Sequence, residues 1–312
     1  MSLSINNNIT ALNAWRNLKQ TDGKMSSTME KLSSGLRINR GADDPAGLVI
    51  SEKMRSQLTS INSAIKNSEK AINLISTAEA ALDKTNELLT KMRQLVIDTG
   101  NLGVTDQSMA KANQQELDEI VASITRIGAN TQFGTKNLLD GSLAASGALI
   151  FQVGPNEGQT VTANIADMQA SALAKSTVIS STTTLTQADV DASGLRALTT
   201  NKVLSAMLLS GVQGTSAANI ISSALAVIDA AIETVSEQRG KLGAIQADNL
   251  QVSLDSMRVA YENLQSAEST IRDADMTKEM AEFTKYQIMM QAGTAMMAQA
   301  NQIPQTILQL LQ

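Results

Sequence analysis

The chain has 312 residues, of which 43% are hydrophobic but only 2% aromatic, and its formal net charge is −5. This length allows about two or three domains with a sizeable core, and a core of Ala, Leu, Ile, Val and Met favours helices. The absence of a basic block disfavours a nucleic-acid partner. The absence of every Cys and His removes the thiolates and imidazoles that most catalytic and metal sites use. The sequence therefore predicts no enzyme activity, no metal site and no cofactor.

Membrane and targeting signals are also missing from the pattern. No stretch of about 18 residues reads as apolar enough to span a bilayer. The first twenty residues lack a basic start followed by an apolar run. We expect neither membrane insertion nor a cleaved secretory signal peptide.

The first two predicted elements are helices joined by a turn. A helical spacing of apolar residues predicts a helix from Asn8 to about Arg37, through Ile9, Leu12, Leu18, Met25, Met29, Leu32 and Leu36. The stretch from Arg40 to Gly47 breaks the pattern, because Gly frees the backbone, Asp can cap and Pro45 suits a first helical turn. A long helix then runs from Leu48 to Gly100. Its heptad frame contains Leu58, Ile61, Ile65, Ile72, Ile75, Leu82, Leu89 and Val96, with interruptions at Ser68, Glu79, Asn86 and Arg93. Such interruptions weaken an isolated dimer but are tolerated in a bundle.

The middle of the chain changes period. A third helix is predicted from Gln107 to Asn130, with Leu117, Ile120, Ile124 and Ile127 facing inward. Alternating apolar residues on either side of residues 154–158 then predict a β-hairpin. Residues 166–218 are rich in small hydroxyl side chains and form either a small exposed domain or a mobile loop.

Helical spacing returns at Asn219. One apolar frame holds Ile221, Leu225, Ile228, Ile232, Val235 and Leu242. Beyond Ile245 two stripes coexist, one with Ile245, Val252 and Val259, the other with Leu250, Leu254, Met257, Tyr261, Leu264 and Ile271. Such a helix has neighbours on both sides, either within one chain or from other copies.

The last 24 residues carry the most apolar surface. Met289, Gly293, Met296, Ala300, Ile303, Ile307 and Leu310 fall alternately four and three residues apart, on one predicted helix face. Nine large apolar side chains lie in this tail, and leaving them in water would forfeit on the order of 15–25 kcal/mol. Something must therefore cover it. The simplest arrangement is mainly α, with long first and last helices folding back into an antiparallel coiled-coil stalk beside a helical bundle, a β-hairpin and a small outer segment.

Several motifs at both ends of the chain resemble bacterial flagellin. In the amino-terminal half they are residues 32–39 (LSSGLRIN), 43–48 (DDPAGL) and 50–57 (ISEKMRSQ). In the carboxy-terminal half they are residues 238–244 (QRGKLGA), 271–276 (IRDADM), 291–294 (QAGT) and 298–305 (AQANQIPQ). Only residues 166–218 fall outside the resemblance.

The resemblance implies a structural subunit that polymerises with copies of itself into the flagellar filament used for swimming. It implies an inner terminal coiled coil (residues 1–43 and 268–312), a helical bundle with the β-hairpin (44–165 and 219–267) and a variable solvent-facing segment (166–218). It also implies an extracellular location reached through the flagellar type III export apparatus, an export chaperone on the carboxy-terminal tail, and hook-associated and cap proteins as partners.

The resemblance assigns subunit contacts to both ends of the chain. The expected polymerisation residues are Leu32, Leu36, Arg37, Asp43, Asp44, Met289, Met296, Ile303, Ile307, Leu310 and Leu311.

Lys91, Leu95 and Glu116 match positions at which an innate immune receptor reads the flagellins of some bacteria. Here Lys91 stands where those flagellins have Arg, and Gln94 where they have Glu, and Lys cannot make the bidentate fork of Arg. A solvated or subunit-facing helix surface is the competing interpretation, and we prefer it.

Two other functions are compatible with parts of the pattern. A flagellar junction protein related to flagellin would join filaments rather than build them, and copy number per filament would distinguish it. A chemoreceptor-like signalling coiled coil would need a membrane anchor and an uninterrupted helical hairpin, which the predicted β-hairpin and polar middle contradict.

Overall fold

A computed structural model describes residues 8–101, 103–144, 148–175, 193–200 and 215–310. For Gly194, Thr200, residues 215–217 and residues 303–310 it describes the backbone alone. The chain divides into two compact units. Unit 1 combines Met1–Thr59 with Val259–Gln312, and unit 2 is Ser60–Arg258. The two ends of the chain therefore share one unit.

The described residues are mainly helical, as predicted. Helices α1 to α3 span Ile9–Ser34, Pro45–Gly100 and Gln107–Asn130. Two small antiparallel hairpins follow, β1 (Gln132–Phe133) with β2 (Lys136–Asn137) and β3 (Leu149–Gln152) with β4 (Thr160–Ala163). A 3-10 turn at Gly194–Arg196 leads into α4 (Ala197–Thr200). The last elements are α5 (Thr215–Ala244), a π-helix (Ile245–Gln251), α6 (Val252–Arg272) and α7 (Met276–Leu310).

Two residues set the bounds of α1 and α2. Helix α1 ends at Ser34 rather than at Arg37 because Gly35 has a φ of 72°, and its N–H closes the helix on the carbonyl of Lys31. Helix α2 begins at Pro45 rather than at Leu48, because the fixed φ of proline suits the first helical turn, and Asp44 Oδ1 accepts a hydrogen bond from the N–H of Gly47 at 2.9 Å.

The core of unit 2 lies between α2, α3, α5 and the β3–β4 hairpin. Its fully buried side chains include Ile75, Leu82, Leu89, Leu117, Ile124, Val227, Ile228 and Val235. The predicted hairpin is confirmed, with Phe151 opposite Val161. The shorter β1–β2 hairpin was not predicted, because two-residue strands are too short to show alternation.

Parts of residues 166–218 belong to this core, although the sequence assigned them to a solvent-facing segment. Met168, Leu173, Leu195 and Leu198 are buried, and the N–H of Leu195 donates to the carbonyl of Leu173 at 2.9 Å. The Ser- and Thr-rich composition of the surrounding stretch hid these few apolar anchors. The remainder, residues 176–192 and 201–214, lies outside the described residues.

The π-helix explains why the apolar frame changes near Ile245. The frame through Val235 and Leu242 would next place an apolar residue at position 249, seven residues on, but the following frame starts at Leu250. The wider turns of the π-helix absorb this additional residue. As a result Leu242 and Leu250 are both buried, whereas Val252 and Val259 of the second predicted stripe are about 60% exposed.

The prediction that no stretch is apolar enough to span a bilayer is wrong by length and composition. Among the described residues one helical stretch, Ala218–Arg272, is long and apolar enough to cross a bilayer by length and composition alone. A helix packed into a core passes the same test, and α5 is such a helix, because Ile220, Ala224, Val227 and Ala231 are buried in unit 2.

Candidate subunit interface

Helices α1 and α7 pack antiparallel in unit 1. Near one end of the pair, Asn8 Nδ2 donates to the carbonyl of Ala300 at 2.8 Å. Near the other end, Leu36 forms an antiparallel bridge with Asp273, just before α7. The predicted pairing of the first and last helices is therefore confirmed.

The least exposed residues of each helix recur alternately three and four residues apart, which is the heptad spacing of a coiled coil. On α1 this seam consists of Ala11, Ala14, Leu18, Thr21, Met25, Thr28 and Leu32. On α7 it consists of Glu279, Phe283, Tyr286, Met290, Gly293, Met297 and Ala300.

Small side chains let the two helices approach closely. A Cβ added to Gly293 would lie 3.0 Å from Leu18 Cδ1, which is tight for a carbon–carbon contact. Thr21 and Thr28 are buried, and each hydroxyl donates to a carbonyl of its own helix, that of Asn17 and that of Lys24. These small and polar residues alternate in the seam with larger ones such as Leu18, Met25 and Phe283.

Other large apolar side chains of the pair lie outside the seam and are exposed. Ile9, Leu12 and Trp15 of α1 are 51–64% exposed. Met276, Met280, Ile288, Met289 and Met296 of α7 are 45–64% exposed.

The predicted stripe on the last helix is thus divided. Gly293 and Ala300 lie in the seam, whereas Met289 and Met296 lie outside it. Ile303, Ile307 and Leu310 fall on the backbone of α7, but their side chains are outside the described residues, as is all of Leu311.

The connection between α1 and α2 is held against the chain between α6 and α7. The N–H of Arg37 donates to the carbonyl of Arg272 at 2.7 Å, and its Nε and Nη2 donate to the carbonyl of Ile271 at 3.1 and 2.5 Å. The guanidinium of Arg37 therefore braces its own chain. Leu32 and Leu36, beside it, are half-buried.

Asp43 and Asp44 organise the turn before α2. Asp43 Oδ2 accepts hydrogen bonds from the N–H groups of Arg40 at 2.9 Å and Asn39 at 3.1 Å. These two hydrogen bonds lower the pKa of the Asp43 carboxyl, and the bond from the N–H of Arg40 has the larger effect. Asp44 caps α2, so both residues shape the backbone of unit 1.

An ion pair joins α2 to α6 within unit 1, and the apolar periodicity of the sequence did not predict it. Arg272 Nη1 lies 2.8 Å from Glu52 Oε1, and the Arg272 side chain is only 15% exposed. This hydrogen bond is the main cause that lowers the pKa of Glu52. The two residues are 220 positions apart, so no local spacing could have paired them.

In unit 2, the three residues matched to innate recognition are only partly at the surface. Lys91 Nζ pairs with Glu116 Oε1 at 2.5 Å, but Leu95 is 8% exposed and belongs to the core. Among the described residues, no group of three or more Asp or Glu side chains could hold a metal ion.

Among its described residues, unit 1 has more exposed large hydrophobic side chains than buried hydrophobic ones. Of the eighteen large hydrophobic side chains that are exposed among the described residues, twelve belong to unit 1, namely Ile9, Leu12, Trp15, Met29, Val49, Ile50, Val259, Met276, Met280, Ile288, Met289 and Met296. Its buried hydrophobic residues, within the described ranges, are Ile38 and Ala300 alone. The sequence predicts only Met289 and Met296 of these twelve as contacts, because the other ten lie outside the predicted stripe on the last helix.

Comparisons with known proteins give both ends of the chain the same family. The model of the bacterial flagellin N-terminal helical region matches residues 5–144, and that of the bacterial flagellin C-terminal helical region matches residues 225–311. The flagellin of Bacillus subtilis (strain 168) is 42% identical over 317 residues, covering 99% of this chain and 100% of the relative. The flagellar filament 33 kDa core protein of Treponema phagedenis is 38% identical over 314 residues, covering 98% and 99%.

A solved structure from Vibrio parahaemolyticus, named "putative flagellar hook-associated protein", shares the fold. Its TM-score is 0.56 at 15% identity, covering 74% of this chain and 100% of that one. This likeness extends to the fold alone. The family models and the near full-length relatives decide the family, and the chain belongs to the bacterial flagellins, the structural subunits of the flagellar filament.

Proposed function

We propose that this chain polymerises by packing the exposed apolar residues of unit 1 against the same unit of neighbouring copies. The observation that carries the proposal is the distribution of apolar side chains in the described part of unit 1. Twelve large hydrophobic side chains are exposed there, whereas the buried hydrophobic residues are Ile38 and Ala300. A contact that repeats head to tail and does not close generates a helical filament. The family of structural proteins to which the chain belongs supports this role over a catalytic one.

The contact residues come from both terminal helices. Met289 and Met296 offer flexible, polarisable side chains that adapt to slightly different neighbours. Ile303, Ile307, Leu310 and Leu311 extend the apolar sequence beyond the described side chains. Five other predicted contact residues act less directly, because their described contacts hold the turn and the seam that position the exposed apolar residues. They are Leu32, Leu36, Arg37, Asp43 and Asp44.

The same distribution supports a layered filament. Residues 1–43 and 268–312 form its inner coiled coil, because their outer faces need cover. Residues 44–165 and 219–267 form the helical bundle, whose core in unit 2 is buried within one chain. Residues 176–192 and 201–214 are the best candidates for the solvent-facing segment, since the parts of 166–218 near them supply core residues.

The tail has further partners before assembly. No charged side chain follows Lys285. An exposed apolar tail of this kind invites aggregation, so it needs an export chaperone until the subunit enters the type III export apparatus. Export through this apparatus requires no cleaved signal peptide. Hook-associated and cap proteins lie at the ends of the finished filament.

Recognition by an innate immune receptor is the weakest part of the proposal. Lys91 is engaged by Glu116, and Leu95 lacks exposed surface to offer. We expect binding to be poor and Lys91→Arg to strengthen it, because Arg can form two parallel hydrogen bonds to a carboxylate.

Removing residues 303–312 tests the central proposal. The shortened protein should keep the helical signal of its bundle in circular dichroism but should no longer sediment as filaments at concentrations at which the full chain does. Val104→Ser is the matched control, because Val104 is 73% exposed but belongs to unit 2. Filament formation by the shortened protein, seen by electron microscopy, would rule the interface out.

A further inference from the structure

The turn that follows the β1–β2 hairpin contains a chemically labile dipeptide. The sequence has two Asp-Gly dipeptides, Asp22-Gly23 and Asp140-Gly141, and no Asn-Gly. In such a dipeptide the backbone nitrogen of glycine can attack the side-chain carboxyl carbon of aspartate, because glycine has no Cβ to hinder the approach. The product is a succinimide ring, and hydrolysis of that ring gives isoaspartate.

The two dipeptides lie in different backbone settings. Asp22-Gly23 is inside α1, where the N–H of each residue is hydrogen-bonded to the carbonyl of an earlier turn. This ladder holds the nitrogen of Gly23 away from the side chain of Asp22. Asp140-Gly141 lies in a turn outside any helix or strand, so no ladder holds the nitrogen of Gly141.

The turn nevertheless requires glycine at position 141. Gly141 has a φ of 85°, in the left-handed region that side chains with a Cβ rarely adopt. A Cβ built there would also lie 2.9 Å from Asp167 Cβ, closer than two carbon atoms pack. Both observations exclude a bulkier residue, which would slow succinimide formation by steric hindrance.

The carboxylate of Asp140 is held by three hydrogen bonds. Its Oδ1 accepts from the N–H of Ser142 at 3.0 Å and from Ser142 Oγ at 2.6 Å, and its Oδ2 accepts from Asn137 Nδ2 at 3.0 Å. These bonds, with the Ser142 hydroxyl having the largest effect, lower the pKa of the Asp140 carboxyl. Ring closure needs this carboxyl to turn towards the nitrogen of Gly141 and to be protonated, so that an oxygen can leave as water. The three hydrogen bonds oppose both steps.

We propose that Asp140-Gly141 is a latent site of isoaspartate formation, and that Asn137 and Ser142 keep it unreactive in the folded protein. In the reaction a bond forms between the nitrogen of Gly141 and Cγ of Asp140, while a C–O bond of the carboxyl breaks. The amide proton and the carboxyl hydroxyl leave together as water. A second water then opens the ring. Attack at the main-chain carbonyl of Asp140 leaves isoaspartate, whereas attack at Cγ restores aspartate.

Isoaspartate at this turn would disturb the core of unit 2, because it inserts an additional carbon atom into the main chain. The residues on both sides of the turn are fixed. Leu139 and Leu143 are buried, and their carbonyls accept hydrogen bonds from the N–H groups of Met168 at 3.0 Å and Ile165 at 3.2 Å. A longer main chain between these two anchors would displace at least one of them, so isomerisation should lower the unfolding temperature of unit 2.

The experiment compares four full-length proteins as folded subunits in buffer made with heavy-oxygen water. They are the wild type, Asn137→Ala/Ser142→Ala, the conservative variant Ser142→Thr, and Ile228→Val. The last variant weakens the core of unit 2 at a fully buried residue but leaves the turn intact. Asn137 and Ser142 are exposed, so their variants should fold, and circular dichroism checks this.

Mass spectrometry of the digested proteins follows the two dipeptides. Uptake of heavy oxygen records each passage through the succinimide, and chromatography separates the isoaspartyl peptide from the aspartyl one. Asp22-Gly23 is an internal reference within every molecule.

We expect Asn137→Ala/Ser142→Ala to form succinimide at Asp140 about fivefold faster than the wild type or more, because hydrogen bonds to a charged group are lost. Ser142→Thr keeps a hydroxyl donor, so its rate should stay within about twofold of the wild type. Ile228→Val should behave like the wild type, and the rate at Asp22 should be the same in all four proteins. Equal rates at Asp140 in the wild type and the double variant would overturn the proposal. Equal acceleration by Ile228→Val would overturn it too, since unfolding rather than the hydrogen bonds would then control the reaction.

Discussion

At the scale of single residues, one glycine inside α1 and one just after it have opposite roles. Gly35 has a φ of 72°, and a Cβ there would meet nothing within 4 Å, so its conformation alone requires glycine. Gly23 lies inside the helix and also has free space around a built Cβ. Comparing substitutions at Gly35 and Gly23 therefore separates the effect of backbone strain from the effect of side-chain packing.

We expect Gly35→Ala to lower the stability of the terminal helix pair by about 1 kcal/mol, through strain in the left-handed region. Gly23→Ala should raise it by about 0.5–1 kcal/mol, because alanine restricts the unfolded chain. Thermal unfolding followed by circular dichroism measures both. Equal effects of the same sign would show that Gly35 does not end the helix as described.

Glu52 provides a pH dependence at the same scale. Because Arg272 lowers the folded-state pKa of Glu52 below its ordinary 4.5, the ionised carboxylate favours the folded state. That contribution is fully present above the unfolded pKa and is lost as pH falls through the folded pKa. Glu52→Gln should therefore flatten the loss of stability below about pH 4.5 in acid titrations of unit 1.

At the scale of elements, the π-helix follows from the spacing of the sequence. One residue too many lies between Leu242 and Leu250 for a continuous α-helical frame. Deleting exposed Ala247 should convert the π-helix into α-helix while both leucines stay buried. Deleting exposed Ser236 inside α5 should instead disrupt the frame between Val235 and Leu242 and lower the unfolding temperature.

Urea unfolding and amide hydrogen exchange across residues 245–251 would distinguish the two deletions. The Ala247 deletion should be nearly neutral in stability and should increase exchange protection in this segment, since α-helical hydrogen bonds replace the π-helical ones. Greater damage from the Ala247 deletion than from the Ser236 deletion would contradict the frame argument.

Long elements were predictable from sequence, whereas the seam was predictable only in part. Pro45 and regular apolar spacing defined α2 and α3 to within a few residues. Of the α1 seam, Ala14, Thr21 and Thr28 escaped prediction because they give little hydrophobic signal, whereas Leu12 and Met29 give a strong signal but are 55 and 50% exposed. Hydrophobicity shows that a side chain needs cover, but it does not distinguish cover by the same chain from cover by another copy. The Arg272–Glu52 pair escaped for a different reason, since only the folded chain brings these residues together.

At the scale of the whole molecule, the middle region separates into anchors and a replaceable stretch. Replacing residues 176–192 with a short Gly/Ser linker should preserve folding and assembly, because Leu173 and Leu195 already lie within a hydrogen bond of each other. Leu173→Ala is the contrasting variant and should cost about 2–5 kcal/mol, as it leaves a cavity in a filled core. Calorimetry and sedimentation test the two. Loss of assembly by a folded linker variant would assign an assembly role to the replaced stretch.

The narrow Ala-, Thr- and Gly-containing seam between α1 and α7 has a thermodynamic consequence. Half of the seam positions carry Ala, Gly, Thr or Glu, and many large apolar side chains of the two helices are exposed, so in the proposed filament the two ends gain further stability from neighbouring copies. By mass action, their melting temperature should climb with protein concentration, while that of unit 2 stays fixed. Folding of the terminal helices and growth of the filament would then be coupled in a single equilibrium.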